Sequence, residues 1–378
     1  MINVKKMALR IYQWIIISIL MQVTAYLFIN NIYLANRTNI GAEAKVISAS
    51  SMGTDDKLEV PEKGIPLPST ATDIKISYDR TYAAYMNEGK LEILDLNENK
   101  IKKVILNKFK NLDGTVKSNS EANTTAFKWL SDKNTIYYAQ GAPSGLPVHV
   151  QLTTYDVDFD IEYTGVTMTY DYLTNGSEIT DLAISPLNSI IYAKAKISPT
   201  QARYFRINIM NDIIPSFNTS VDSIAKIGRY KEVVLYQDGE NKLFRKSGMY
   251  NSPTQLQFPG KMVLLDVIGV QSHTEGKDMA YVGELNEEGK VHNVLTGNIE
   301  TDPSEWTTHT LKRALLAHHI YIENSGQIYG LVDEENCVYN LQDGGKVSFK
   351  GRFIGIVDNN IAFIDNDLLK FKPLSTSS

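Results

Sequence analysis

The feature that most constrains the fold is a recurring unit. An alternating apolar strand is followed by a polar turn, a short apolar strand carrying an aromatic, a second turn and a third strand. The first copy reads Ile74-Lys75-Ile76, the turn Ser77-Tyr78-Asp79-Arg80, Tyr82-Ala83-Ala84-Tyr85, the turn Asn87-Glu88-Gly89-Lys90, and Leu91-Glu92-Ile93-Leu94-Asp95-Leu96. The second-strand aromatic returns at Tyr138, Tyr192, Tyr236, Tyr281, Tyr329 and Phe363, at spacings of 53, 54, 44, 45, 48 and 34 residues. Self-similarity on a scale of about 20–50 residues marks solenoids, propellers and arrays.

Antiparallel meanders suit these strand lengths and turns. A small twisted sheet cannot bury both faces alone, whereas sheets stacked radially bury them against each other. The pattern therefore predicts an all-β chain, a β-propeller of six or seven four-stranded blades over residues 73–374. The last unit stops soon after its third strand, at Leu374, so a closed ring needs one more outer strand. Leu58-Glu59-Val60 is the expected donor, and six full blades plus a partial one is the alternative.

From Ile11 to Asn36 no residue is charged, and Trp14 to Ile29 is mostly apolar. A run of about 20 such residues is enough to span a bilayer. Tyr12 and Trp14 stand near one end and Tyr26 and Tyr33 near the other, as interfacial aromatics do. Lys5, Lys6 and Arg10 precede the span and only Arg37 follows closely, which predicts a cytoplasmic tail (1–10), an uncleaved transmembrane signal anchor (11–36) and an extracytoplasmic domain. A cleaved signal peptide is the rival, but Ala42-Glu43-Ala44 lies well beyond the apolar run. Residues 37–72, rich in Ala, Ser, Gly and Thr and ending in Pro61, Pro66 and Pro68, read as a stalk.

Charge and cysteine narrow the function. The first 37 residues hold four basic groups and no acid, which leaves 34 basic against 43 acidic side chains in the remainder. Such a surface repels a phosphate backbone, so nucleic acid is not an expected partner. Cys337 is the one cysteine and reads as a buried, inert thiol.

The turns Ser77-Tyr78-Asp79, Ser131-Asp132 and Ser185-Pro186-Leu187-Asn188 resemble degenerate copies of the Ser-Pro-Asp-Gly turn of TolB-type and dipeptidyl-peptidase-type (WD40-like) β-propellers, over roughly Asp73 to Leu374. The resemblance implies a propeller that serves as a docking platform, as the gating domain of a peptidase or, in some cases, as an enzyme. Peptidases of this kind keep their serine in a separate hydrolase domain. No Gly-x-Ser-x-Gly occurs here, and Ser144 in Gly141-Ala142-Pro143-Ser144-Gly145 stands one place too late.

The sequence carries no local motif that marks a catalytic, cofactor-binding or metal-ligating residue. Asp156, Asp158, Asp160 and Glu162 would project from one face of a strand, yet they fail the calcium-loop pattern and read as an acidic edge strand. Asp95 to Asn99 and Asp365-Asn366-Asp367 read as turns. Neighbouring His318 and His319 would point to opposite faces of a strand and cannot share a metal there. Departures from the repeat at Lys108–Asn123, Ala142–Thr174 and Thr296–Thr310, the last with Trp306, are expected to be insertions where binding could reside.

These observations point to a membrane-anchored extracytoplasmic propeller that binds another envelope or membrane protein or a surface polymer. An extracytoplasmic glycan-active enzyme, with carboxylates drawn from several blades, is the alternative. Convergence of acids at the mouth of the central channel would favour it.

Overall fold

Short alternating runs separated by tight polar turns fold into antiparallel meanders, and the turn chemistry shows why. At Glu88-Gly89, Asp358-Asn359 and Asn366-Asp367 both central residues have positive φ. That is the backbone a two-residue hairpin needs to match strand twist, and Gly, Asn and Asp adopt it most readily. In this computed structural model residues 64–374 are described, except 107, 111–115, 119–122, 142–149, 169–172, 174–176, 186, 188–189, 209–211 and 272–275. Before residue 64 only Ser18, Met21 and Gln22 are described, each helical. The chain divides into two compact units, Met1–Lys57 and Leu58–Ser378. The second is the subject below. The predicted span at 11–36 thus lies, apart from those three residues, outside the described part, and no described helix is long and apolar enough to cross a membrane.

Seven four-stranded antiparallel sheets form seven blades. Blade 1 is Thr72–Ile76, Tyr82–Asn87, Lys90–Asp95 and Lys100–Ile105, and blade 2 is Asn123–Trp129, Thr135–Gly141, Val150–Asp156 and Ile161–Met168. Blade 3 is Glu178–Ser185, Ile190–Lys196, Gln201–Ile207 and Ile213–Ser220, and blade 4 is Ile224–Ile227, Val233–Gln237, Leu243–Ser247 and Thr254–Gln255. Blade 5 is Met262–Gln271, Gly276–Leu285, Val291–Asn298 and Thr307–Leu315, and blade 6 is Ile320–Ile322, Ile328–Val332, Cys337–Asn340 and Lys346–Ser348. Blade 7 is Arg352–Val357, Asn360–Asp365 and Leu368–Pro373, completed by Ile65–Pro66.

That last pairing closes the ring. Ile65 lies opposite Leu369 and Pro66 opposite Leu368, and the Leu67 amide donates to the Asp367 carbonyl at 2.9 Å. Ile65 and Leu369 are fully buried in the core between blades 7 and 1. Pro66 suits the outermost position, where no further ladder bond is required of it. The closing strand therefore comes from chain assigned to the stalk, while Leu58-Glu59-Val60 lies outside the described residues. A ring joined by both ends of its sequence resists local opening, because neither terminus of the propeller can fray without exposing this core.

Each pair of neighbouring blades encloses one apolar core, seven in all. The seven recurring aromatics all lie in second strands and none is more than 8% exposed. Their direction differs between blades. Tyr192 of blade 3 and Tyr236 of blade 4 enter the same core, as do Tyr329 of blade 6 and Phe363 of blade 7. The core between blades 4 and 5 receives none of the seven and is filled by Trp306. Trp306 fits there because Gly297 leaves the room: a Cβ on Gly297 would stand 2.2 Å from the indole.

Several local expectations change. The alternation from Asp156 to Glu162 is broken by a turn after Asp156, and Asp160 takes φ +52°, so the four acids do not share a strand face. His318 and His319 sit in a 3-10 turn, not a strand, with ring centroids 4.2 Å apart. Much of Ala142–Thr174 and Thr296–Thr310 is blade: Val150–Asp156 and Ile161–Met168 complete blade 2, and Trp306 lies in a core. Lys108–Lys110 and Val116–Ser118 form a separate two-stranded ribbon. Residues 96–99 and 366–367 are turns, each following a strand that ends at Asp95 or Asp365. Cys337 is fully buried, and burial pushes its thiol up.

Candidate functional site

Within each blade the first-to-second and third-to-fourth connections emerge on one face of the ring, the front. The second-to-third connections emerge on the back. First strands lie innermost: those of blades 1 to 6 run side by side in order, and the first strand of blade 7 lies against that of blade 1. The turns after the first strands therefore crowd around the front mouth of the central channel.

Ser77-Tyr78-Asp79-Arg80 shows how one such turn is held. The Ser77 hydroxyl donates to Asp79 Oδ1 at 2.9 Å, Thr81 N donates to the same oxygen at 2.9 Å, and Tyr82 N donates to Ser77 Oγ at 3.0 Å. This network exposes Tyr78, which is 43% accessible, and fixes the direction of Asp79. Burial pushes the Asp79 carboxyl up, but the hydrogen bonds from Asn134, Thr81 and Ser77 outweigh it and hold the group below the usual carboxylate range.

Side chains then bind the turns of different blades together. Asn134 Nδ2 of blade 2 donates to Asp79 Oδ2 of blade 1 at 2.9 Å and to the Asp158 carboxylate at 3.2 Å. Arg80 pairs with Asp358 of blade 7 at 2.8 Å. Arg229 of blade 4 reaches past blade 3 to Asp132 of blade 2 at 3.2 Å. Asp278, a buried carboxylate in the second strand of blade 5, accepts from the backbone amides of Arg229, Tyr230 and Lys231 at 2.6–3.2 Å. Gly228 permits that approach, because a Cβ there would stand 2.3 Å from Asp278 Oδ2. The collar is a set of preorganised polar braces, and it leaves little freedom in the loops it joins.

Inside the collar lies a depression of about 220 Å³, lined by Tyr78, Trp129, Ile322, Glu323, Ile356 and Asp358 among others. Trp129 Nε1 donates to the Lys75 carbonyl at 3.0 Å, which fixes the indole at the rim of the blade 1–2 core. Two acids line the depression, and both have partners: Glu323 accepts from Ser325 N at 2.7 Å, and Asp358 carries the Arg80 ion pair. Burial, followed by the negative charges of Asp79, Asp158 and Asp132, raises the Tyr78 phenol above the ordinary tyrosine value.

Among the described residues no three His, Cys, Asp or Glu side chains are grouped to hold a metal ion. Asp156, Asp158, Asp160 and Glu162 are dispersed: Asp156 caps its own turn, Asp158 bonds Asn134, and Asp160 accepts from Tyr155 at 2.8 Å and pairs with Lys103 at 3.3 Å. His319 pairs with Asp333 at 3.1 Å. Ser77, Asp79 and Asp132 are the turn residues that carried the family resemblance. Asn134 and Arg229, the partners of Asp79 and Asp132, had no local signal, nor had Asp358 toward Arg80 or Asp278 toward the turn at Arg229, since each lies in a different blade or turn.

No protein-family model matches the chain, and no curated protein matches it. Solved structures do, as folds. A dihydro-heme d1 dehydrogenase, NirN, in complex with DHE aligns at 10% identity and TM-score 0.46 over 80% of this chain and 63% of its own, so the alignment leaves over a third of that protein uncovered. The WD40 domain of SCAP from fission yeast aligns at 11% identity and TM-score 0.44, over 81% of this chain and 96% of its own. Hsv2 from Kluyvelomyces marxianus aligns at 9% identity and TM-score 0.44, over 80% and 97%. The chain is a seven-bladed β-propeller with WD40-type neighbours.

Proposed function

We propose that the chain is a single-pass membrane protein whose propeller lies outside the membrane and docks another envelope protein through the front mouth of its channel. The observation that carries this reading is the braced collar around an exposed tyrosine. A rigid rim and an amphipathic aromatic at its centre lower the entropic cost of binding and supply an anchor. The uncharged run at 11–36, with three basic residues before it and one closely after it, supports the anchor and its orientation.

A photo-crosslinking residue placed at Tyr78 tests the reading, with one at Glu288 on the back face as control. The full-length protein in its own membrane should give one dominant protein adduct from position 78 and none of that mass from position 288. Equal labelling from both positions, or no protein adduct at all, would overturn it.

One observation favours a second reading. Glu323 and Asp358 line the same depression as Tyr78 and Trp129, the combination of carboxylates and aromatics that a glycan subsite uses. An array of envelope glycans, with Glu323→Gln beside the wild type, tests it: binding or turnover lost in the variant supports a polymer-directed site.

A further inference from the structure

Three lysines stand at matching positions on the innermost strands, which line the central channel. Lys75 pairs across its blade with Ala84, Lys128 with Tyr137 and Lys226 with Leu235, in each case the residue before that blade's recurring aromatic. Cross-strand partners share a face, so all three side chains leave the innermost strand in the same sense, toward the following blade. Blade 7 has Gly355 at the matching position, opposite Ala362, and a Cβ built there meets nothing within 4 Å.

Two of the three lysines are satisfied. Lys75 Nζ donates to the Phe127 carbonyl at 2.9 Å, lies over the Phe127 ring and pairs with Asp73 at 3.1 Å. Lys226 pairs with Asp266 at 3.1 Å. Lys128 makes no hydrogen bond or ion pair among the described residues. The charges around it are Lys226 and Lys75, which repel it, and Asp181 and Asp266, which attract it. Asp181 Oδ1 is engaged by Leu182 N at 2.8 Å, and Asp266 Oδ1 by Val267 N at 2.9 Å as well as by Lys226. Burial, followed by the charge of Lys226, pushes the Lys128 ammonium below the ordinary lysine range. Lys128 thus stands among charges of both signs with no carboxylate at ion-pair distance among the described residues, an arrangement that an added anion would improve.

We propose that the central channel is an oxyanion site in which Lys128 is the principal ligand and Lys75 and Lys226 add charge from either side. The ligand class is a phosphate-type oxyanion, since ammonium groups act as point charges toward phosphate and impose no planar geometry. It is either the free ion or the head of a phosphomonoester that enters by the front mouth. The proposal is independent of the docking reading, which concerns the rim.

Calorimetric titration of the full-length protein in detergent micelles, at constant ionic strength, tests it with inorganic phosphate as the probe and glycerol phosphate in a second arm. The wild type should show one saturable site per chain. Lys128→Met should weaken it at least tenfold, Lys75→Met several-fold, and Lys102→Met, on the exposed outer strand of blade 1, should leave it unchanged. Tighter binding of glycerol phosphate identifies the head of a larger ligand, and equal or tighter binding of phosphate identifies the free ion. The proposal falls if neither probe gives a saturable isotherm, or if Lys128→Met binds as the wild type does. Lys75→Met reports on the same level of the channel through a different strand, should the first variant fail to fold.

Discussion

The cores on either side of blade 3 are built from different materials. Between blades 3 and 4, Tyr192, Tyr204, Phe217 and Tyr236 form a stack, with Phe217 4.8 Å from Tyr204 and 4.1 Å from Tyr236 by ring centroid. Between blades 2 and 3 the filling is aliphatic and small: Ala139, Ala193, Ala195, Leu152 and Leu182, with Phe205 the fully buried aromatic. The same blade supplies Tyr192 to one side and Ala193 to the other, because adjacent strand residues face opposite ways. The contrast teaches that the repeat fixes the strand that carries the aromatic rather than the direction in which it points. Around blade 3 the core that takes two of the recurring aromatics sits beside one lined by alanines.

Alkaline pH should break the comparison most severely. Burial first, and then nearby acids, raise Tyr192 and Tyr204 above the ordinary tyrosine value of 10.0, and Tyr236 is pushed up to about 12. A group whose folded value is raised contributes stability that is fully present below its unfolded value and is lost as pH rises through the folded one. Unfolding should therefore set in above pH 10, and hydrogen exchange at the onset should open strands of blades 3 and 4 before the aliphatic core. Uniform opening would show that the two cores are equally robust.

Next in size is Phe217→Ala, which removes the centre of the stack and should cost about 3–5 kcal/mol by urea denaturation. Ala193→Leu tests the opposite side by overpacking, with an expected cost of about 1–3 kcal/mol. If Ala193→Leu proves neutral, the small-residue core holds slack that its burial does not suggest.

Lys128→Met, without added anion, should stabilise by about 1 kcal/mol, since a desolvated charge with no ion-pair partner among the described residues is exchanged for an apolar chain of similar length. The sign has a pH signature. A depressed lysine means the unfolded chain holds more protons, so the wild type should gain stability as pH rises toward 10.5 and the variant should lack that gain. The smallest effect belongs to Asp132→Asn at the front collar. Its partly exposed pair with Arg229 is worth about 0.5 kcal/mol, measurable only as a small shift in the denaturation midpoint.

Legibility in the sequence followed chain distance. The units at Tyr85, Tyr138 and Tyr192 were readable because each lies in a local strand–turn–strand pattern, and Ser77 and Asp79 were readable because their bonds are to Thr81 and Tyr82. Asp156 to Glu162 misled because alternation alone does not reveal a turn, and Thr296–Thr310 looked like an insertion because nothing local says that Trp306 will find Gly297. The candidate site was almost wholly illegible. Asn134 meets Asp79 across 55 residues and Arg229 meets Asp132 across 97.

The sequence by itself determined that this chain makes repeated antiparallel sheets which can bury their faces only against copies of themselves, because strand period and turn residues act over a few residues. Tertiary structure decided the number seven, the use of Ile65–Pro66 as the closing strand, the direction of each aromatic, and the placing of Lys75, Lys128 and Lys226 at matching positions on innermost strands. Ring closure is a property of all the blade interfaces together, and no window of the sequence contains it.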